Sequence, residues 1–287
     1  MAASIDLPPL NVPDLLRDHG LRPKKSLGQN FLVDPTALRK IVAAAAIPPE
    51  AEVLEIGPGL GSLTRHLAVA ARRVVAVELD SMLLPALQDV LAGQENVTIV
   101  QGDMLELDPA ALMTAPGYLV VANIPYYITS ALIRHLLEAE KKPARVVLTI
   151  QKEVAEHITA APGDLSLLAL SVQVYGQARR AVRIPAGAFY PPPNVDSEVV
   201  RVDLYPQPLI PAEQIDTFFK LIKAGFSQKR KTLRNALSAG LRWNTGRAEE
   251  LLRAAGIDPM RRAETLSIEE WRGLVNGFTD SSPAPAA

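Results

Sequence analysis

The stretch VLEIGPGLGSLT, residues 53–64, decides the fold predicted for this chain. It begins with apolar residues, its middle carries Gly57, Gly59 and Gly61, and residues 60–71 have the length and spacing of a helix. Glycines at such a turn permit positive φ and let a ligand approach the main chain closely. The stretch therefore predicts a strand, a tight ligand-binding turn and a helix.

The spacing of these glycines distinguishes two kinds of nucleotide-binding loop. A dinucleotide-binding loop reads G-x-G-x-x-G, and its third glycine would fall on Ser62. Here the spacing is G-x-G-x-G, and Glu55 comes just before the turn. This form is typical of class I methyltransferases, which bind S-adenosylmethionine (AdoMet).

Short apolar runs alternate with helical segments through the first two thirds of the chain. Continuous apolar character indicates strands buried on both faces, as in a parallel sheet covered by helices. The runs are EVLEIG (52–57), RVVAVEL (73–79), VTIVQG (97–102), YLVVAN (118–123) and ARVVLTIQ (144–151). An antiparallel pair at the sheet edge is expected from two later stretches, SLLALSVQVYG (166–176) and SEVVRVDL (197–204). The predicted fold is a Rossmann-like α/β domain with a mostly parallel seven-stranded sheet and helices on both faces.

A proline-rich linker, YPQPLIP (205–211), predicts a second domain that is small and all-helical. An apolar helical face follows the linker, and SIEEW (267–271) has the pattern of a capping box that opens a last helix. The predicted parts of the chain are a weakly ordered segment 1–20, a methyltransferase domain 21–205, a helical domain 206–280 and a disordered tail 281–287.

Composition narrows the class of protein. The 287 residues include no cysteine, which excludes disulfides, cysteine nucleophiles and thiolate metal sites. The chain has no apolar run of about 18 residues and does not start like a signal peptide. These observations favour a cytoplasmic protein without a membrane span or a metal.

Charge is distributed unevenly along the chain. Residues 1–205 carry 18 Lys+Arg and 22 Asp+Glu, whereas residues 206–287 carry 12 and 9. Between Thr217 and Ala248 there are eight basic residues and no acidic one. A basic cluster can be a solvated helix face, but the exclusion of acids favours a surface that binds phosphates.

Two further strand ends carry acids that suit an adenosine-containing cofactor. Glu78 ends the strand VVAVELD and lies 21 residues after Gly57, where a carboxylate can accept hydrogen bonds from ribose hydroxyls. Asp103 follows the third strand and can accept a hydrogen bond from the adenine amine. Each acid alone could be a helix cap or a solvated residue, but together with the glycine loop they predict AdoMet binding.

The stretch VVANIPYYITSAL, residues 120–132, ends a buried strand on an amide, a proline and two tyrosines. The amine of adenine is a poor nucleophile because its lone pair is delocalised into the ring. Acceptors at the Asn123 side chain and the Ile124 carbonyl would localise that pair and stabilise the charge that develops during methyl transfer. Pro125 would hold the turn rigid, and Tyr126 would stack on the base. The alternative is a structural proline turn with two packed tyrosines.

The NIPY sequence resembles the [DN]-[PI]-P-[YFW] motif of amino methyltransferases, and five further motifs match one branch of them. In chain order the motifs are KKSLGQNFLVD (24–34), EIGPGLGSLT (55–64), NIPYYITS (123–130), FYPPPNVDSEVVR (189–201), FSQKRKTLRNAL (226–237) and RAETLS (262–267). The chain thus resembles the ribosomal RNA adenine dimethyltransferase family, and within it the bacterial small-subunit branch. The glycine loop is generic, whereas the N-terminal and C-terminal motifs are highly specific.

The resemblance implies transfer of two methyl groups to each of two adjacent adenosines in a hairpin loop near the 3′ end of 16S rRNA, in the immature small subunit. It implies cofactor contacts at Asn30, Leu32, Gly57, Glu78, Asp103 and Asn123, to which the glycine loop adds Gly59 and Gly61. It maps the aromatic residue above the target base onto Phe189, with Tyr190 beside it. We expect a monomer whose contacts with rRNA come from Lys24, Lys25, Lys229, Arg230, Lys231 and Arg234.

Two other functions are compatible with parts of the sequence. A large-subunit rRNA dimethyltransferase of the macrolide-resistance type would share every N-terminal motif, but the last two motifs favour the small-subunit branch. An RNA-binding assembly factor that has lost catalysis would not need an intact adenine clamp and cofactor acids.

Overall fold

The computed structural model of the protein describes residues 7–124 and 129–278. They form two compact units: residues 7–124, 129–156 and 177–204 belong to the first, and residues 157–176 and 205–278 to the second. The first unit ends one residue before the predicted domain 21–205 does, and it differs from that domain in two larger segments. It includes residues 7–20, and it lacks residues 157–176.

A seven-stranded sheet forms the centre of the first unit. The strands are β2 (Glu52–Ile56), β3 (Arg73–Glu78), β4 (Val97–Gln101), β5 (Leu119–Asn123), β6 (Arg145–Gln151), β7 (Gly176–Ile184) and β9 (Ser197–Leu204). Their order in the sheet is β4-β3-β2-β5-β6-β9-β7. Strands β2 to β6 pair in parallel, and β9 pairs antiparallel with β6. The prediction of a mostly parallel seven-stranded sheet is confirmed.

The parallel register brings the carboxyl ends of three strands together. Ile56 near the end of β2 pairs with Val77 of β3 on one side and with Ala122 of β5 on the other. The last residues of these strands therefore lie at one edge of the sheet, where ligands bind in open α/β folds.

The prediction of a strand over residues 166–176 is wrong, because Leu167–Gln173 form a helix, α8. The Ser166 hydroxyl accepts a hydrogen bond from the Ala169 backbone N–H at 3.1 Å, so the first turn of the helix is capped. The seventh strand is instead β7, at the sheet edge beside β9. Its sequence, GQARRAVRI, is mostly exposed, so no apolar run marks it.

Part of the segment for which the sequence predicts weak order forms a regular helix. Val12–Asp18 form helix α1, and Val12 and Leu16 are buried in a cluster with Phe31 and Leu60. The apolar residues of α1 are few, but the first unit supplies the rest of their core. A two-stranded antiparallel sheet follows, in which β1 (Phe31–Leu32) pairs with β8 (Phe189–Tyr190).

Helices complete the first unit. They are α2 (Pro35–Ala45), α3 (Ser62–Ala70), α4 (Leu84–Val90), α5 (Pro109–Leu112), α6 (Thr129–Glu138) and α7 (Lys152–Ile158), the last of which ends in the second unit. Helix α3 begins directly after the glycine turn, as predicted. Within the described ranges, no helix combines the length and apolar character that crossing a membrane requires.

The second unit is helical, as the sequence predicts. It contains α8, α9 (Ile215–Phe226), α10 (Leu233–Leu241), α11 (Thr245–Ala254) and α12 (Ile268–Gly277). Helix α9 packs against α8, α10 and α12, and its predicted apolar face is buried at Phe218, Phe219 and Ile222. The predicted capping box is confirmed, because the Ser267 and Glu270 side chains exchange hydrogen bonds with each other's backbone N–H groups at the start of α12.

Candidate active site

A cavity of about 260 Å³ opens at the carboxyl edge of the sheet. It is bordered by the ends of β2, β3 and β5 and by the N-terminal segment that leads into β1. The predicted site residues that line it are Asn30, Leu32, Gly57, Gly59, Glu78, Asp103, Asn123, Ile124 and Phe189. Residues predicted from six separated parts of the sequence are thus brought together.

The glycine loop forms one wall of the cavity. Gly57 and Gly59 have φ angles of 71° and 59°, which residues other than glycine rarely adopt. A Cβ at Gly59 would also lie 3.0 Å from the Phe31 ring. Gly61 does not line the cavity; it packs against Leu87 and Val90 of α4. Its contribution to the site is the turn into α3.

Glu78 joins the glycine loop to the end of β3. One of its carboxylate oxygens accepts a hydrogen bond from the Gly59 backbone N–H at 2.9 Å, and the other accepts one from the Asp80 N–H at 2.8 Å. Burial raises the pKa of Glu78, and these backbone hydrogen bonds oppose the increase. The side chain is therefore held at the cavity wall with a fixed orientation.

Asp103 also lines the cavity and follows the end of β4. Its carboxylate accepts a hydrogen bond from the Leu105 backbone N–H at 2.9 Å, and the residue is half-buried. A carboxylate that is fixed in this way still has lone pairs for a donor on a ligand.

The end of β5 presents the predicted amine clamp. The Asn123 side-chain nitrogen donates to the Asn30 backbone carbonyl at 3.2 Å. Because that bond engages the amide nitrogen, the amide oxygen is left to accept a hydrogen bond from another donor. Ile124 is buried at the cavity wall. The next two residues of the predicted clamp, Pro125 and Tyr126, lie outside the described residues.

Phe189 and Tyr190 differ in how much of each ring is accessible. Phe189 is 4% exposed and belongs to a hydrophobic core cluster, and it also lines the cavity. Tyr190 is 39% exposed and lines an adjacent open groove with Pro9, Leu10 and Gly187. Of the two, Tyr190 offers the larger surface for stacking on a base.

Glu55 is a buried acid whose role the sequence leaves undefined. It lines the cavity, and its Oε2 atom has no hydrogen-bond partner among the described residues. Burial raises the pKa of Glu55 to about 8, and the nearby Glu78 carboxylate acts in the same direction. In the unliganded protein at pH 7, Glu55 is therefore mainly a neutral acid.

This raised pKa predicts a specific pH dependence of stability. The Glu55 pKa is about 8 in the folded protein and about 4.5 in the unfolded chain, so between these values the unfolded chain binds fewer protons. The free energy of unfolding should therefore fall as pH rises, by roughly 1 kcal/mol per pH unit from this group. Denaturant unfolding of the cofactor-free protein from pH 5 to 8 measures the slope.

Glu55→Gln should flatten that slope, and Glu95→Gln, at an exposed acid, is the matched control that should not. Identical pH slopes for wild type and Glu55→Gln would contradict a raised pKa for Glu55.

Several residues that line the cavity were not predicted from the sequence. Each of them lies beside or near a predicted residue in the sequence. They are Gln29 and Phe31 on either side of Asn30, Leu79 after Glu78, and Met104 and Leu105 after Asp103. Of these residues, Leu79 has the clearest sequence signal for a place in the site, because it directly follows the strand-end acid Glu78. In the structure this apolar side chain is 47% exposed.

The six predicted rRNA contacts fall into two groups. Lys25, Lys229, Arg230 and Lys231 are exposed. Lys24 donates to Asp80 at 2.8 Å, and Arg234 pairs with Glu249 at 3.0 Å. These two intramolecular ion pairs compete with the predicted roles of Lys24 and Arg234 in binding rRNA.

A mostly parallel seven-stranded sheet, with a glycine loop after its first long strand and a cavity at its carboxyl edge, defines a class I methyltransferase fold. The sequence profile of the family described as ribosomal RNA adenine dimethylase matches residues 20–280. The chain therefore belongs to the ribosomal RNA adenine dimethylase family and is an rRNA methyltransferase.

Known proteins resemble the chain over most of its length. It is 47% identical over 264 residues to ribosomal RNA small subunit methyltransferase A of Dehalococcoides mccartyi (strain CBDB1), a match that covers 91% of this chain and 90% of that protein. The structure of the 23S rRNA methyltransferase ErmE is similar with a TM-score of 0.70 and 29% identity, covering 86% of this chain and 99% of ErmE. A dimethyladenosine transferase from Plasmodium falciparum gives a TM-score of 0.71 and 26% identity, covering 85% and 95%.

Proposed function

We propose that this enzyme transfers methyl groups from AdoMet to the exocyclic amines of two adjacent adenosines in a hairpin loop near the 3′ end of 16S rRNA. The products would be N6,N6-dimethyladenosines, made in the cytoplasm on the immature small subunit by a monomer that needs no metal. The observation that carries this proposal is the 47% identity, over nearly the whole chain, to a protein named for small-subunit rRNA methylation.

The cavity fits an AdoMet-like ligand. Two glycines with positive φ leave open backbone at its wall, and buried Glu55 presents an oxygen without a partner. The open backbone lets a ligand approach the wall closely. Hydroxyl groups and a cationic amine on that ligand would donate hydrogen bonds to the acids that line the cavity, which are Glu55, Glu78 and Asp103. When bound, AdoMet supplies an activated methyl group on a sulfonium.

The residues of this chain would then position and activate the acceptor amine. In our proposal, Glu78 accepts hydrogen bonds from the ribose hydroxyls and Asp103 accepts one from the adenine of the cofactor. The Asn123 oxygen and the Ile124 carbonyl accept hydrogen bonds from the target amine, which favours a localised lone pair and stabilises the positive charge that develops. Tyr126 remains the predicted stacking residue.

Loss of Glu78 should weaken cofactor binding while the fold survives. Glu78→Ala removes charge-assisted hydrogen bonds in a partly buried site, so AdoMet affinity should fall by roughly 1.5–3 kcal/mol. Calorimetric titration measures this loss. Because Glu78 also accepts from Gly59 and Asp80, Glu78→Gln is the matched variant that keeps an acceptor for the loop. Unchanged affinity in both variants would remove Glu78 from the site.

One alternative is methylation of large-subunit rRNA, and the observation behind it is the structural similarity to ErmE. The two proposals are separated by incubating the purified enzyme with small and large subunits, each lacking the modification, in the presence of methyl-labelled AdoMet. We expect label only in the small subunit, in two adjacent dimethyladenosines that are mapped by nucleoside analysis. Label in the large subunit alone would establish the alternative, and label in neither would contradict both.

A further inference from the structure

The N-terminal segment of residues 24–30 is fastened to the strand ends of the sheet at two points. On one side, Lys24 Nζ and Gln29 Nε2 donate to the two carboxylate oxygens of Asp80, each at 2.8 Å. On the other side, the Asn30 carbonyl accepts from Asn123 at 3.2 Å. The segment between these points forms one wall of the cavity.

Asp80 is the buried partner of this attachment. The residue is 5% exposed, whereas the Lys24 side chain is 44% exposed. Burial on its own raises the pKa of Asp80, but the hydrogen bonds from Lys24 and Gln29 outweigh burial and hold the pKa below its usual range. A buried carboxylate with two side-chain donors is a fixed anchor, because losing a donor leaves a buried charge that is poorly compensated.

From Asp80 the hydrogen bonds continue into the predicted cofactor site. Its backbone N–H donates to one oxygen of Glu78, whose other oxygen accepts from Gly59. Asp80 also accepts from the Met82 backbone N–H at 3.1 Å, which fixes the turn after β3. One continuous chain of hydrogen bonds thus links Lys24 to the glycine loop.

We propose that Asp80 is a positioning residue that holds residues 24–30 in place as a wall of the AdoMet pocket, with Lys24 as its exposed partner. The inference rests on the proposed function. It implies that Lys24 acts on cofactor affinity through Asp80 rather than on rRNA. Asp80 itself does not line the cavity, so its effect passes through Gln29 and Glu78.

Titration of AdoMet in the absence of RNA tests this role. Asp80→Ala should raise the Kd and the KM for AdoMet by about tenfold or more, the range for losing hydrogen bonds to a charged group. The KM for AdoMet should rise by a larger factor than the factor by which turnover at saturating AdoMet falls, because Asp80 holds a binding wall and does not touch the reacting atoms. Lys24→Ala should raise Kd in the same direction, and Lys24→Arg should restore it.

A double-mutant cycle separates positioning from general stability. Once Asp80 is alanine, Lys24→Ala should cause no further loss of AdoMet affinity. Asp203→Ala is the matched structural control, because Asp203 accepts from Arg145 at 2.6 Å at the opposite end of the sheet. It should lower Tm without changing AdoMet affinity.

The outcomes are distinguishable. A wild-type protein that does not bind AdoMet would overturn the proposed function itself. A wild type that binds, with a folded Asp80→Ala of equal affinity, would overturn only the positioning role, and so would additive losses in the cycle. If Asp80→Ala does not fold, the exposed Lys24 variants decide: unchanged Kd in Lys24→Ala overturns the role, and a raised Kd that Lys24→Arg restores supports it.

Discussion

Replacing Asn123 by alanine should lower turnover by about 10²–10³-fold, the usual cost of losing one fixed polar group that acts on transition-state charge. The side-chain nitrogen of Asn123 is engaged by the Asn30 carbonyl, so its oxygen is oriented before any ligand arrives. Such a preoriented acceptor acts mainly on the charge that develops as the amine is methylated. Affinity for the small subunit should therefore change much less than turnover. Single-turnover assays with saturating AdoMet, together with binding assays, measure the two effects.

The bond to Asn30 requires a control for displacement of the N-terminal segment. Asn123→Asp keeps an acceptor oxygen but cannot donate to the Asn30 carbonyl when ionised. If the main role of Asn123 were to hold residues 24–30 through the Asn30 carbonyl, Asn123→Asp and Asn123→Ala should both raise the Kd for AdoMet strongly. A large fall in turnover of Asn123→Ala with nearly normal AdoMet affinity supports the clamp. Full turnover in Asn123→Ala would show that the amine is activated by other groups.

Reversing three charges in the second unit should weaken binding to the small subunit by roughly 100-fold at low salt, since phosphate contacts dominate affinity for nucleic acids. Lys229, Arg230 and Lys231 are exposed and form no ion pair within the described part of the chain. Changing all three to Glu should also reduce the slope of log affinity against log salt by about 3, or about one per lost contact. AdoMet affinity should be unchanged.

A charge-matched variant separates position from net charge. Arg253, Arg262 and Arg272 are exposed residues of the same unit outside the acid-free stretch, and reversing them changes the net charge equally. This control should reduce affinity less and leave the salt slope nearly unchanged. Melting temperatures must be measured for both variants, because Arg253 and Arg262 also form surface ion pairs. The rRNA contact would lie elsewhere if the variant with Glu at Lys229, Arg230 and Lys231 were stable and kept the wild-type affinity for the small subunit and the wild-type salt slope.

Patterns that depend on neighbours in the sequence were read correctly from the sequence. Buried parallel strands are recognisable as continuous apolar runs in the sequence. The capping box of Ser267 and Glu270 lies within one helical turn, so it too is a local pattern. The glycine turn was predictable for the same reason, because positive φ at Gly57 and Gly59 is a local property of the backbone.

Where local signals were ambiguous, the surrounding structure decided. Residues 167–173 suit either a strand or a helix, and burial of one face together with the Ser166 cap selects the helix. Edge strand β7 is mostly exposed, so no apolar run could reveal it. Helix α1 has too few apolar residues to predict order alone, but Phe31 and Leu60 complete its core.

The sequence by itself determined the fold class, the family and the strand-end groups Glu78, Asp103 and Asn123 that meet at the cavity, because each of these groups directly follows a recognisable apolar run. Only the tertiary structure decided which of those groups are already engaged. Lys24 and Arg234 look like free cations in the sequence, but buried Asp80 and partly buried Glu249 pair with them. Ion pairs of this kind join residues 15 to 56 positions apart, and no local pattern encodes a partner at that distance.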